Sequence, residues 1–572
     1  MLDARPYEPN PRYPSVGGEV LRGWAAVAST LPDRPMVLAV DGPTILPWDA
    51  LVTGLQRALA SGQVTRWVDV RKHMQTWEKV LALTDTAALS CDPDFARLAD
   101  IELAELFDDL PVAAGSSSGL VIVFGPGAAL AKHDLLWYAD LPKRYAEQAI
   151  LSSAGRNLGQ PDGVGQPTTR QLFYVDWPIL DRHRDTIAPD IDLWLDLQDP
   201  AVPASLAGPA LHESIRQLVA GPFRTRPTFN TTSWGGHWAQ RELGHNRDAV
   251  NSALGYELIA PESGVLFGSA PDRQVEVPFQ LIVAMHPQAV LGPEVFAEFG
   301  TSFPIRFDYL DTFDGGSLSV HCHPRPDYMR DVFGWPYAQH ETYYVTVGGD
   351  DGRIYLGLRE GVDLEAFHAR ATDADEHGIP FDIEEFVQTH PAEPHRLFII
   401  PPGTPHGSSK GNVVLEVSAT PYLYSLRFYD WLRRDDRGAQ RPVHVQHAFA
   451  NLDTRRSGAA IGAQLIQQPR LLRGGSGWCE ELLGSAAEMF YEVRRISIDG
   501  EQRVDDQTAG RFNIITVVDG DGVTISTDSG EHDLVYAETM VIPATTGGYR
   551  LRRLGSRPVR VVKSLVTIGT IE

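Results

Sequence analysis

The sequence predicts a multidomain protein: an N-terminal α/β domain built on a parallel sheet, followed by an all-β region of two successive barrels of the β-sandwich or jelly-roll kind. Three observations predict it. At 572 residues, 43% hydrophobic and 22% charged, the chain is globular in composition and too long for a single core. Its first 210 or so residues alternate aliphatic runs with helix-like stretches. Beyond them the texture changes to short β-type runs punctuated by Gly, Asp and Pro, and this persists almost to the end.

In the first part, RPMVLAVDGP and GLVIVFGPGAAL are aliphatic runs stopped by Gly-Pro and read as strands, while PWDALVTGLQRALASG and DLLWYADLPKRYAEQAI read as helices. Alternation of that kind predicts a parallel sheet over residues 1–210. The strand-then-glycine order in VLAVDGPTILPWDAL invites comparison with a phosphate-binding loop, but Pro47 stands where the second glycine belongs, Trp48 where the lysine belongs and Asp49 where the hydroxyl belongs. Together with the YADLPKR segment at residues 138–144, the region resembles uridine-kinase-like P-loop folds. The resemblance implies a degenerate relative kept for structure or assembly, with no cofactor-binding residue of its own.

A connector, LAGPALHESIRQLVAGPFRTRP, leads into the β region. There HETYYVTVGGDDGRIYLGL followed by HRLFIIPPGTPHG has the same layout as GRFNIITVVDGDGVTIST followed by AETMVIPATTGGYRL, which predicts two similar barrels, at residues 222–450 and 451–572. Where the first has His406, the second has PATTGGY, so the second barrel is expected to be structural.

The chemistry concentrates in SLSVHCHPRPDYMRDVFGWPYAQHETYY, residues 317–344. Successive side chains of a strand face opposite ways, so Ser317, Ser319, His321 and His323 share one face and Leu318, Val320 and Cys322 the other. Two imidazoles roughly 7 Å apart along the backbone converge on one cation, and a carboxylate and third histidine from neighbouring strands complete four ligands. Glu341 and His406 are the candidates. His340, adjacent to Glu341, points to the opposite face and is read as a non-ligand.

The order Gly315, His321-Cys322-His323, Glu341, Gly348, Pro401-Pro402-Gly403 and His406 resembles the two motifs of the cupins, with a longer loop than usual before the glutamate. Within cupins, LSVHCHP, HETYYV, PPGTPH and VLEVSATPYLYSLRFYDWLRR resemble type I mannose-6-phosphate isomerases across residues 222–572. That resemblance implies one divalent metal, zinc foremost with iron or manganese as alternatives, held by His321, His323, Glu341 and His406. It carries over Glu416 as a base or supporting group and Arg427 as a charge stabiliser, with Ser319, Lys410 and Trp234 (in FNTTSWGGHW) as substrate contacts. Two departures stand out: His321 occupies the family's glutamine position, and Gln339 stands where the family often has lysine, for which Lys410 is the candidate substitute.

Composition narrows the partners. The chain carries 50 basic and 74 acidic residues, a formal charge of -24 without a focused basic patch, which argues against nucleic acid and anionic lipid. Three widely spaced cysteines, Cys91, Cys322 and Cys479, fit a reducing compartment, the cytoplasm by default. There is no apolar run of about 18 residues, so no membrane span is expected, and the oligomeric state is not written in the sequence. The resemblance to mannose-6-phosphate isomerases implies as partner a small sugar phosphate, interconverted between aldose and ketose, most directly mannose 6-phosphate and fructose 6-phosphate. A cupin oxidoreductase using iron or manganese and a non-catalytic carbohydrate-binding or regulatory protein are the rival readings.

Overall fold

The computed structural model describes residues 5–60, 62–84, 86, 88–109, 119–435 and 438–567. The protein is largely β. Near the N-terminus a seven-stranded sheet runs in the order Leu21–Arg22, Ala204–Ala207, Leu193–Asp196, Leu135–Asp140, Met36–Asp41, Leu120–Phe124, Val64–Asp69. The last five of these pair in parallel and the first two antiparallel. Met36–Asp41 and Leu120–Phe124 are buried along their whole length, as expected of strands covered on both faces.

One helix expectation is corrected here. In DLLWYADLPKRYAEQAI, the first half is the strand Leu135–Asp140, and the helix begins only at Arg144. The run Leu136–Asp140 is buried on both faces between two parallel neighbours, and Pro142, which lacks an N–H, falls in the break.

The first barrel is a pair of facing sheets. One has the order Leu397–Ile400, Glu341–Val347, Val413–Ala419, Ile305–Asp311, Leu254–Leu258, Thr228–Asn230, and the other Val387–Pro391, Arg353–Leu358, His406–Ser408, Val320–Cys322, Leu426–Tyr429. A second pair of sheets follows, six-stranded and four-stranded, between Arg470 and Val566. The Tyr491 hydroxyl joins the two pairs by donating to the Val417 carbonyl at 2.8 Å.

The region is not all β, contrary to the reading of its sequence. Short helices at Phe279–Met285, Pro287–Leu291 and Pro293–Phe299, a 14-residue helix at Leu364–His377, and helices at Val445–Asn451 and Ala459–Leu465 interrupt the strands. The longest is bounded in the usual way. Asp363 accepts from the Ala366 N–H at its start, and Gly378 takes the left-handed conformation (φ 64°) at its end. Its Phe367 stacks on Phe386 and Phe428, sealing the outer face of the five-stranded sheet.

Candidate metal centre and active site

Three of the predicted ligands come from, or directly follow, adjacent strands of the five-stranded sheet. His321 lies opposite His406 in the antiparallel pairing, with ring centroids 4.3 Å apart, and His323 follows Val320–Cys322 with its ring 5.0 Å from that of His406. Nitrogens of these three buried histidines lie within 4.8 Å of one another, the only such cluster of His, Cys, Asp or Glu among the described residues. The opposing sheet contributes Glu341, whose Oε2 contacts His323 Nε2 and lies 3.3 Å from His406 Nε2.

The backbone sets the tautomers. His321 Nδ1 faces the Ser319 carbonyl at 3.0 Å, His323 Nδ1 that of Tyr424 at 3.3 Å, and His406 Nδ1 that of Thr404 at 2.9 Å. A carbonyl only accepts, so Nδ1 of His321 and of His406 carries the proton and their Nε2 atoms turn lone pairs inward, whereas His323 Nδ1 lies beside both the Tyr424 carbonyl and the Gln339 amide. His406 Nε2 is buried without a hydrogen-bond partner, an orphaned acceptor of the kind a cation satisfies. Three imidazole nitrogens and one carboxylate oxygen fit a divalent metal: zinc foremost, though iron and manganese also take such ligands.

Electrostatics agree with the donor set. Burial, reinforced by the neighbouring histidines, holds His321 well below the usual imidazole range, and burial also lowers His323. Burial alone would raise Glu341, but His406 and His323 beside it outweigh that and hold its carboxyl well below the carboxylate range. Burial thus favours neutral imidazoles at His321 and His323, and Glu341 is held in its ionised form, as metal ligation requires.

His321, His323 and Glu341 line a cavity of ≈170 Å³, with His406 buried behind them, and the same cavity is lined by Trp234, Ser319, Glu416 and Arg427. Ser319 orients His321 through its carbonyl. Glu416 is buried, ion-paired with Arg306, and accepts from the Ser418 hydroxyl at 2.8 Å. Arg427 is the antiparallel partner of His321, so both side chains stand on one face of the sheet. Asp430, three residues along the chain, does not pair with Arg427 but with Arg433 at 2.8 Å and Arg441 at 3.0 Å.

Lys410 is a correction. It lies exposed on the turn after His406–Ser408, with its N–H donating to Ser317 Oγ at 3.1 Å, and it does not line the cavity. A strand turns back there, which carries the side chain out of the barrel. The positive charge comes from a residue the sequence reading missed. Arg306 is 6% exposed in Ile305–Asp311, and its guanidinium donates to the Gln339 amide oxygen at 2.9 Å when that amide's nitrogen faces the Pro421 carbonyl. Asp308, paired with Glu416 across the strands and 3.3 Å from Arg306, was missed as well. Both sit on one face of FPIRFDYLD at two-residue spacing, which is the signal that marks them.

Burial pushes Asp308 up to about 6 and Glu416 well above the carboxylate range, against the pull of Arg306. Asp308, Glu341 and Glu416 surround one guanidinium, and like charges that close do not all ionise. Burial and mutual repulsion thus favour protonation on the Asp308–Glu416 side of the cluster, and the histidines favour the ionised form of Glu341.

Comparisons with known proteins divide along the chain. A family model described as a domain of unknown function (DUF8485) matches residues 23–220. The chain is 27% identical over 238 residues to "Probable mannose-6-phosphate isomerase GmuF" of Bacillus subtilis (strain 168), which covers 40% of this chain and 67% of that protein. It is 24% identical over 334 residues to a mannose-6-phosphate isomerase of Streptococcus mutans serotype c, which covers 57% of this chain and 94% of that protein. The crystal structure of a mannose 6-phosphate isomerase from Bacillus subtilis aligns with 60% of this chain and 99% of its own at 18% identity, with a TM-score of 0.49.

Proposed function

We propose that the protein is a metal-dependent aldose–ketose isomerase acting on a sugar phosphate, with mannose 6-phosphate and fructose 6-phosphate as the leading pair. The observation that carries this reading is a single cavity lined by His321, His323 and Glu341 of the three-histidine, one-glutamate cluster, by the carboxyl pair Asp308 and Glu416, and by two guanidiniums, Arg306 and Arg427. The two curated relatives are consistent with it.

Isomerisation removes a proton from the carbon beside a carbonyl, carries negative charge on the resulting enediolate, and returns the proton one carbon along. A bound divalent cation would supply Lewis acidity toward the substrate's oxygens. The remaining work falls to side chains. Glu416, with Asp308 beside it, is the candidate for taking and returning the proton, because burial lifts both toward the working range of a general base. Arg306 holds Glu416 in place and offsets its charge when it is ionised. Arg427 faces the open part of the cavity, where its planar fork suits a phosphate or an enediolate oxygen. Ser319 and Trp234 shape the wall between them.

Zinc-loaded protein is expected to interconvert mannose 6-phosphate and fructose 6-phosphate in a coupled assay over a small panel of sugar phosphates. Iron in the purified protein with no turnover on any member would favour an oxidoreductase, and activity indifferent to chelation would remove the metal from the reading.

For the N-terminal part, the reading is a P-loop-like fold without its nucleotide site. Asp41 ends a parallel strand, and its carboxylate accepts the N–H groups of Gly42 at 2.7 Å, Gly127 at 3.1 Å and Ala129 at 2.8 Å, with His183 Nε2 at 2.9 Å. An internal carboxylate thus occupies the amides that a phosphate would need. Trp48 is 2% exposed, buried in the core. Calorimetry on the full chain should detect no ATP binding, and micromolar affinity would contradict the reading. The three cysteines are unpaired, which supports a reducing compartment, and among the described residues no helix is long and apolar enough to cross a membrane.

A further inference from the structure

Arg427 lies on Leu426–Tyr429, the edge strand of the five-stranded sheet. An edge strand leaves outward N–H and C=O groups without a ladder partner, and here one residue takes both. The Arg427 N–H donates to His444 Nδ1 at 3.2 Å, and the His444 N–H donates to the Arg427 carbonyl at 2.9 Å. Because Nδ1 accepts, the ring proton sits on Nε2. That nitrogen faces Asp94 Oδ2 at 3.5 Å.

Asp94 belongs to the N-terminal part of the chain, some 350 residues upstream of His444. The segment around it is docked firmly. Phe95 is 3% exposed, with its ring 4.7 Å from that of His444 and stacked on Tyr424 at 6.3 Å. Asp92 Oδ2 lies 2.6 Å from His447 Nε2. A second cavity of ≈500 Å³ adjoins the one lined by the candidate ligands through the shared residues Tyr256, Tyr422, Ser425, Arg427 and Arg441, and Asp94, Phe95 and Tyr174 form part of its wall. The approach to the metal centre is therefore built from both parts of the chain.

We propose that the N-terminal part completes the active-site cleft, with Asp94 a positioning residue that acts through His444 to hold Arg427 where the anionic end of a phosphorylated substrate binds. This rests on the isomerase reading for the reaction, but not for the anion. Asp94, 3.5 Å from the Nε2 that carries the ring proton, favours the tautomer in which Nδ1 accepts from the Arg427 N–H; His444 in turn fixes the backbone of Arg427, and the guanidinium reaches the cavity with the Pro442 carbonyl at 3.0 Å bracing its other side. It also gives the N-terminal part a role that needs no nucleotide.

Two readouts on the zinc-loaded full chain test it. Asp94→Ala should lower kcat/KM for the sugar phosphate by about tenfold, the lower end of the cost of losing an orienting partner, with metal content and melting temperature unchanged. Asp94→Asn should recover most of that loss, since its amide oxygen still accepts from Nε2–H. In an Arg427→Ala background, Asp94→Ala should add less than about twofold, because the two residues act as a unit. A full tenfold loss in that background, or Asp94→Ala kinetics equal to wild type, would overturn the proposal. The second readout is inorganic phosphate binding by calorimetry, which both Asp94→Ala and Arg427→Ala should weaken. If no sugar phosphate turns over, the isomerase reading fails and phosphate binding alone decides this one. Phosphate affinity that is absent, or indifferent to Asp94, would overturn it.

Discussion

His323→Ala and His406→Ala should each strip the divalent cation and abolish turnover. The two imidazoles reach the centre from different chain segments, so neither loss is repaired locally. Removing one of four ligands opens the coordination shell and leaves Glu341, which the histidines hold ionised, buried beside fewer compensating groups. Loss of an outer-shell partner costs about 10- to 100-fold in metal affinity, and loss of a ligand should exceed that. Elemental analysis after dialysis against a mild chelator is the measurement, with His340→Ala as the comparison. His340 precedes Glu341 but faces away, its ring 6.5 Å from that of Phe490, so its variant should keep the metal. A full complement in both His323→Ala and His406→Ala would sink the site.

The candidate metal ligands were legible as a cluster because strand geometry is local. Two histidines two residues apart must share a face, and the proline-rich turn before His406 marks a second strand arriving nearby. What escaped was everything decided by pairing at a distance. Arg306 and Asp308 become site residues only because Ile305–Asp311 lies beside Val413–Ala419, and nothing in FPIRFDYLD names Glu416 as the neighbour. Lys410 went wrong for the opposite reason. Closeness in sequence to His406 suggested closeness in space, but a tight turn separates the strand that faces the cavity from the loop that leaves it.

The helices show two kinds of miss. DLLWYAD is a short apolar run, for which periodicity does not separate a buried strand from a helix, and only its parallel neighbours settle it. Leu364–His377, by contrast, carries an N-cap aspartate and a C-terminal glycine in plain view, and the β texture around it masked a readable signal. The docking of residues 92–95 on the first barrel belongs to neither class, since Phe95 reads as an ordinary core aromatic until His444 and Tyr424 are beside it.

Arg427→Ala should lower kcat and kcat/KM together, by about 10²- to 10³-fold on the scale of a lost oxyanion donor. Among the described residues no carboxylate pairs with this guanidinium, whose one side-chain bond is to the Pro442 carbonyl. Burial, with Arg441 beside it, brings its pKa down to about 10, so the group stays charged at neutral pH but lacks a counter-anion. An anion in the cavity supplies one, and the benefit grows as charge develops on the substrate, which is why kcat should fall and not KM alone. If Arg427 only gripped a ground-state phosphate, KM would rise with kcat intact. Arg427→Lys should recover little, because a point charge does not reproduce the planar fork or its bond to Pro442. Metal content measured alongside guards against an indirect effect through His321, its partner across the strands. Near wild-type kinetics for Arg427→Ala with the metal retained would take Arg427 out of the mechanism and leave Arg306 as the cavity's working cation.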